Sequence, residues 1–141
     1  MGRVLGLDVG TKTIGVAVSD ETRLIASPLR TVARRSVARD VDDLASDVAD
    51  RSIEAVVVGL PYELDGTEAR SARLARQIGE AVRERFELPV HYVDERFTSV
   101  DAERQLIQAR VSRQRRKEII DQQAACIILQ SFLDHPELDD A

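Results

Sequence analysis

The chain has 141 residues, of which 43% are hydrophobic and 32% are charged, as is ordinary for a soluble globular protein. This length predicts one domain, residues 1–141, with its own buried core. A single cysteine excludes an intrachain disulfide, and no apolar run reaches the ~18 residues of a membrane span, so we expect a cytoplasmic protein without a membrane partner. The net charge of -5 argues at first against nucleic acid, because a polyanion is attracted to positive surface.

The first third of the chain predicts three strands. Residues 3–9 are apolar and β-branched, and Gly10-Thr11-Lys12-Thr13 forms a turn into residues 14–19. In that second strand the large residues alternate with Gly15, Ala17 and Ser19, so one face is small enough for another element to pack closely. Residues 24–33 predict a third strand, and Pro28 favours an edge position for it.

Helices and strands alternate in the remainder. The spacing of apolar residues predicts helices over 37–51, 68–86 and 118–133, another helix from about Ser99, strands over 54–60 and 90–93, and a basic connector over 109–117. The near-continuous apolar run of 54–60 is typical of a parallel strand that is covered on both faces. The order βββαβαβαα therefore predicts an α/β fold with a mixed sheet and helices on both faces.

Two acidic residues lie at or near strand ends. Asp8 interrupts an apolar strand, where a carboxylate is costly to bury unless it is paired, protonated or bound to metal. Glu95 follows the strand at 90–93, and the carboxyl ends of strands are where α/β proteins build their sites. The alternatives are a turn-capping role for Asp8 and a solvated charged loop for Glu95.

Asp121 is the most informative acid. Its helical neighbours Ala124, Ala125, Ile128 and Phe132 are apolar, which places it on the core-facing side of the last helix. In a helix that begins near residue 118, Asp121 lies in the first turns, where the helix dipole also favours a carboxylate. A purely structural, helix-stabilising role is therefore the alternative to a role in a site.

Three carboxylates brought together by folding would repel one another unless cations were bound. Oxygen ligands suit Mg²⁺ or Mn²⁺, and one or two such ions can promote hydrolysis of a phosphodiester. Phosphate could be held by the turn at Thr11 and Lys12. Six basic residues precede Asp121, with no acid among them: Arg104, Arg110, Arg113, Arg115, Arg116 and Lys117.

The whole pattern resembles the YqgF family, also called RuvX, of the RNase H-like superfamily. The segments that carry the resemblance are GLDVGTKTIGVAVSD (6–20), VVVGLPYELDGT (56–67), VDERFTSVDAE (93–103) and KEIIDQQAACIILQSFLD (117–134). The resemblance implies an RNase H-like fold with a central five-stranded mixed sheet. It also implies that Asp8, Glu95 and Asp121 are catalytic and metal-binding. Thr13 stands where the family usually has arginine, which puts a phosphate contact from that position in doubt.

The first functional hypothesis, as the resemblance implies, is a metal-dependent endonuclease that acts on structured RNA and processes the 5′ end of pre-16S rRNA. Its partners would be nucleic acid and the pre-ribosome, and the protein would be a monomer or a weak homodimer. The residues expected to contact the substrate are Thr11, Lys12, Arg96, Arg113, Arg115, Arg116 and Lys117.

Three alternatives stay open. The same chemistry on branched DNA would make the protein a Holliday junction resolvase. Asp8-Val9-Gly10-Thr11 also looks like the first phosphate motif of actin-like ATPases and sugar kinases, but those folds need a second similar domain to close over nucleotide. The third alternative is a non-catalytic RNA-binding factor of ribosome assembly, although the small number of aromatic residues argues against base stacking.

Overall fold

A computed structural model of the protein describes residues 2–61, 70–98, 106, 109 and 113–136, with only the backbone for Phe97 and 113–118. Its elements are the strands β1 (Arg3–Val9), β2 (Thr13–Ser19), β3 (Ala26–Ala33), β4 (Ile53–Leu60) and β5 (Val90–Asp94), the helices α1 (Val37–Asp50), α2 (Arg70–Phe86) and α3 (Arg113–Asp134), and a short 3₁₀ turn at Glu95–Phe97. The strands follow the predicted sequence ranges closely.

The five strands form one mixed sheet in the order β3-β2-β1-β4-β5. The antiparallel pairs are β1 with β2 and β2 with β3, and the parallel pairs are β1 with β4 and β4 with β5. The prediction of a mixed five-stranded sheet is confirmed, and β3, with its Pro28, lies at an edge as expected.

The two faces of the sheet carry separate apolar clusters. Helices α1 and α2 cover one face, where the large alternating residues of the strands are buried; this cluster includes Leu5, Leu7, Ile14, Val16, Val56, Val58, Leu44 and Ile78. Helix α3 covers the other face, in a cluster that includes Val4, Ala17, Ala55, Val57, Val93, Ala124, Ala125, Ile128, Leu129 and Phe132. Helices therefore flank both faces, as the α/β pattern predicts.

Small residues of the central strands let α3 lie directly on the sheet. A Cβ atom added at Gly6 would lie 2.7 Å from Cβ of Leu129, and one added at Gly15 would lie 2.0 Å from the backbone oxygen of Asp121. Both distances are too short for real atoms, so a larger residue would force the helix away. The small face predicted for the second strand is thus the docking surface of α3.

An arginine from the end of the third strand fastens the turn between β1 and β2. The Arg34 side chain donates to the carbonyl of Gly10, and its backbone N–H donates to the carbonyl of Lys12, both at 2.8 Å. The same guanidinium is paired with the fully buried carboxylate of Asp40 at 2.7 Å. The turn that follows Asp8 is therefore held by Arg34, which is itself held by a buried ion pair with Asp40 of α1.

The last helix begins earlier than predicted. It starts at Arg113, so residues 113–117 are helical and the prediction of a connector over 109–117 is wrong for that part. Arginine, glutamine and lysine are good helix formers, and the basic run continues the helix for this reason. Asp121 therefore lies in the third turn, beyond the reach of the N-terminal dipole, and the dipole no longer accounts for it. Of the helix predicted from about Ser99, the structure describes only residues 106 and 109, which are both helical, and the segment 62–69 lies outside the described residues.

In the part of the chain that the structure describes, none of the helices has the length and apolar character that crossing a bilayer requires.

Candidate active site

Asp8 lies near the end of β1 on the face that α3 covers. It follows Val4 and Gly6 in the alternation of that strand, and only 6% of its surface is exposed. Its partner across the antiparallel ladder is Gly15 of β2. The absence of a side chain at Gly15 leaves room for α3 above it, directly beside Asp8.

Glu95 lies at the same end of the sheet. It is the first residue after β5, in phase with Val93 on the face that α3 covers, and it is 5% exposed. Its Oε2 lies 3.1 Å from the position that a Cβ of Gly59 would take. Because Gly59 follows Val58, which pairs with Leu7, Glu95 reaches over the strand that is next to Asp8.

Asp121 enters the site from α3. Its backbone lies against Gly15, since an added Cβ there would be 2.0 Å from the Asp121 carbonyl oxygen and 3.0 Å from its Cα. Gly15 is also the ladder partner of Asp8, so two of the three predicted acids meet at one glycine. The structure thus assigns Asp8, Glu95 and Asp121 to the same face and the same end of the sheet.

A residue that the sequence did not single out for this role contacts Asp121. The hydroxyl of Thr13, the first residue of β2, donates a hydrogen bond to Oδ2 of Asp121, 108 positions along the chain. Extending the alternation of the second strand by one residue would have placed Thr13 on the small face with Gly15, but it would not have indicated the partner. Thr13 therefore contacts a proposed ligand, whereas the family resemblance raised position 13 only as a phosphate contact.

The three acids do not form a compact ligand group. Among the described residues, no three aspartate, glutamate, histidine or cysteine side chains lie close enough together to hold one metal ion. All three donors are nevertheless carboxylates, the hard oxygen ligands that Mg²⁺ and Mn²⁺ prefer, and two of them are almost fully buried. The donor set therefore fits a divalent cation in its chemistry.

The predicted substrate-binding residues divide into three groups. Thr11 and Lys12 lie on the turn three and four residues after Asp8, where both are exposed to solvent. Arg96 makes a fork with Asp94, with its Nη2 at 2.6 Å from Oδ2 and its Nε at 3.0 Å, so part of its charge is already neutralised. The backbone of the third group lies in the first turns of α3, before Asp121: Arg113, Arg115, Arg116 and Lys117.

The arrangement of strands and helices has relatives among solved structures. RuvC from Thermus thermophilus, solved in complex with a Holliday junction substrate, aligns over 97% of this chain and 96% of its own with a TM-score of 0.58 and 18% identity. The fowlpox virus resolvase, solved with Holliday junction DNA, aligns over 94% of this chain and 97% of its own with a TM-score of 0.53 and 12% identity. At such identities the likeness defines the fold, which is RNase H-like.

Sequence comparison identifies the family. Residues 2–135 match the family model described as "RuvX: Holliday junction resolvase". The "Putative pre-16S rRNA nuclease" of Rhodobacter capsulatus is 46% identical over 95% of this chain and 84% of its own length, and that of Desulforamulus reducens is 42% identical over 94% and 96%. The chain belongs to the RuvX family, which confirms the resemblance seen in its motifs.

Proposed function

We propose that this protein is a divalent-metal-dependent endonuclease that cuts structured RNA, with the 5′ end of pre-16S rRNA as its substrate. The observation that carries the proposal is the position of Asp8 and Glu95, two buried carboxylates at one end and on one face of the sheet, beside the helix that carries Asp121. The names of the relatives, which are called pre-16S rRNA nucleases, support the choice of RNA.

The three carboxylates would hold one or two Mg²⁺ or Mn²⁺ ions. A bound cation would lower the cost of keeping these carboxylates charged and would relieve repulsion between them. When bound, the metal supplies an activated water and stabilises the oxygen that leaves phosphorus.

The remaining proposed residues bind and orient the substrate. Lys12 lies on a turn whose carbonyls at Gly10 and Lys12 both accept hydrogen bonds from Arg34. The backbone that carries the Lys12 ammonium group is therefore held in place close to Asp8. A phosphate held there lies next to the acids without displacing them. The basic start of α3 provides a second place for backbone phosphates, on the helix that also carries Asp121.

The second candidate substrate is branched DNA. The description of the family model, a Holliday junction resolvase, favours it. Contacts to phosphate do not distinguish RNA from DNA, because they read charge and backbone position alone. Cleavage of the two substrates by one preparation therefore decides between them.

The test is cleavage of a pre-16S 5′ fragment and of a four-way DNA junction in Mg²⁺, in Mn²⁺ and in EDTA. We expect RNA cleavage that EDTA abolishes. Asp8→Asn, Glu95→Gln and Asp121→Asn are each expected to lower its rate by more than about 100-fold, beyond the usual effect of an outer-shell partner. The folded proteins should keep or raise their melting temperatures, because each variant removes a repelling charge.

Matched controls are Asp50→Asn and Glu84→Gln, which neutralise exposed acids on α1 and α2. Both are expected to cut at the wild-type rate. Equal activity of wild type and Asp8→Asn would mean that a contaminant cuts the RNA, and the proposal would then be abandoned. If the protein cuts the DNA junction efficiently and does not cut the RNA, the proposed substrate is branched DNA and not RNA.

A further inference from the structure

The position of Asp121 is fixed by two kinds of contact. Its backbone is pressed against Gly15 of β2, and the neighbouring Gln122 donates from Nε2 to the hydroxyl of Thr31 on β3 at 3.2 Å. These contacts fix the helix. Neither contact involves the Asp121 carboxylate, so neither of them aims it.

Thr13 supplies the contact that fixes the carboxylate. It lies two residues before Gly15 on the same face of β2, and its hydroxyl donates to Oδ2 of Asp121. The backbone of Thr13 is itself held, because its carbonyl accepts from Gly10 at 2.8 Å and its Cα is paired with Ala33. The donor is therefore the hydroxyl of a short side chain whose backbone is held both by the turn and by the neighbouring strand.

The chemistry of this contact suits a metal ligand. A hydroxyl has one proton to donate and no charge, so it occupies one acceptor position of the carboxylate and leaves the others and the full negative charge for a cation. Partners of this kind, which hold a ligand from behind, commonly change metal affinity or activity by ~10- to 100-fold when they are removed.

We propose that Thr13 is a positioning residue that orients Asp121 for binding of the divalent ion, an inference that rests on the proposed nuclease function. Thr13 acts through Asp121 and contacts neither the reacting phosphate nor the metal. Its contribution should therefore appear in the affinity for metal and in the rate at low metal concentration, and the KM for nucleic acid should stay unchanged.

The experiment compares wild type with Thr13→Val, Thr13→Ser and Thr31→Val. Valine keeps the branched shape that suits a strand and removes only the hydroxyl, whereas serine restores it. Thr31→Val removes the hydroxyl that helps to fix the helix, so it is the matched control. The measurements are the Kd for Mn²⁺ by calorimetry, the Mn²⁺ concentration at half-maximal cleavage, and the melting temperature without metal.

We expect Thr13→Val to raise both the Kd for Mn²⁺ and the half-maximal concentration by ~10-fold or more, with Thr13→Ser and Thr31→Val within about threefold of wild type. The inference is overturned if Thr13→Val binds Mn²⁺ as wild type does, or if Thr31→Val shows the same loss, since a general effect of helix docking would then explain it. A wild type that neither binds Mn²⁺ nor cuts would overturn the proposed function itself, together with the inference.

Discussion

At the scale of single residues, Gly15 is the position at which two of the three proposed ligands come together. It is the ladder partner of Asp8 and the surface on which the backbone of Asp121 rests. The two proposed ligands approach each other because this one position has no side chain. Gly15 is needed because a Cβ at this position would collide with the backbone of Asp121. Its backbone conformation is one that other residues also adopt.

Gly15→Ala is expected to destabilise the protein by about 1–3 kcal/mol or more, as overpacking does, because its Cβ would meet the Asp121 carbonyl oxygen at 2.0 Å. The measurement is the urea midpoint and its slope. Gly2→Ala is the control: the three atoms nearest its Cβ would all belong to the exposed Glu54 side chain, which can move away, and a change within about 0.5 kcal/mol is expected. Equal losses would show that the helix can move away from Gly15 at little cost.

At the scale of elements, helix α1 stabilises the turn between β1 and β2, although α1 itself follows β3 in the chain. Asp40 is fully buried and is bonded to Arg34 and to the backbone N–H of Arg35 at 2.9 Å. Arg34 in turn holds Gly10 and Lys12 of the turn between β1 and β2. The proposed phosphate-binding turn thus depends on an ion pair that does not belong to the site.

Asp40→Asn is expected to lower the free energy of unfolding by about 3 kcal/mol, because it leaves the guanidinium of Arg34 buried beside a neutral partner. Asp43→Asn on the same helix breaks the partly exposed pair with Arg35 and should cost less than about 1 kcal/mol. Urea titrations of the two variants under identical conditions check the difference. Similar values for both would mean that water screens the Arg34–Asp40 pair as well.

The elements also show what the sequence could predict. The strands and the first helix, predicted over 37–51 and observed over 37–50, could be predicted from alternation and helical spacing. The core-facing side of Asp121 could be predicted from its neighbours on the helical wheel. The start of α3 could not be predicted from the sequence, because a basic run is equally compatible with a solvated connector and with a helix made of good helix formers. The contact between Thr13 and Asp121 could not be predicted either, since no local pattern indicates that a hydroxyl has a partner 108 residues away.

At the scale of the whole molecule, the net charge of -5 is compatible with a polyanionic substrate. Two of the negative charges, Asp8 and Glu95, are buried and would be offset by a divalent ion, and Lys12 is exposed on the turn that follows Asp8. The affinity for nucleic acid then depends on where positive charge is placed, and the sum over the chain is a poor guide.

Arg115→Gln combined with Arg116→Gln is expected to weaken RNA binding and to reduce the slope of log K against log salt by about 1 for each phosphate contact that is lost. Binding is measured by fluorescence anisotropy on the cleavage-deficient Asp8→Asn background. Arg70→Gln combined with Arg73→Gln makes the same change in net charge on α2, across the sheet from α3, and should leave the slope unchanged. The same slope change in both pairs would show that total charge governs binding.

The position of α3 on the sheet has a consequence for the time at which the site is assembled during synthesis and folding. Asp8 and Gly15 are synthesised roughly a hundred residues before Asp121, so a growing chain that has finished its first hairpin still lacks Glu95, Asp121 and the helix that covers that face. Contacts of such long sequence separation form late in folding. An unfinished or misfolded copy would therefore be inert toward the RNA around it, and cutting would begin only when the last helix has docked.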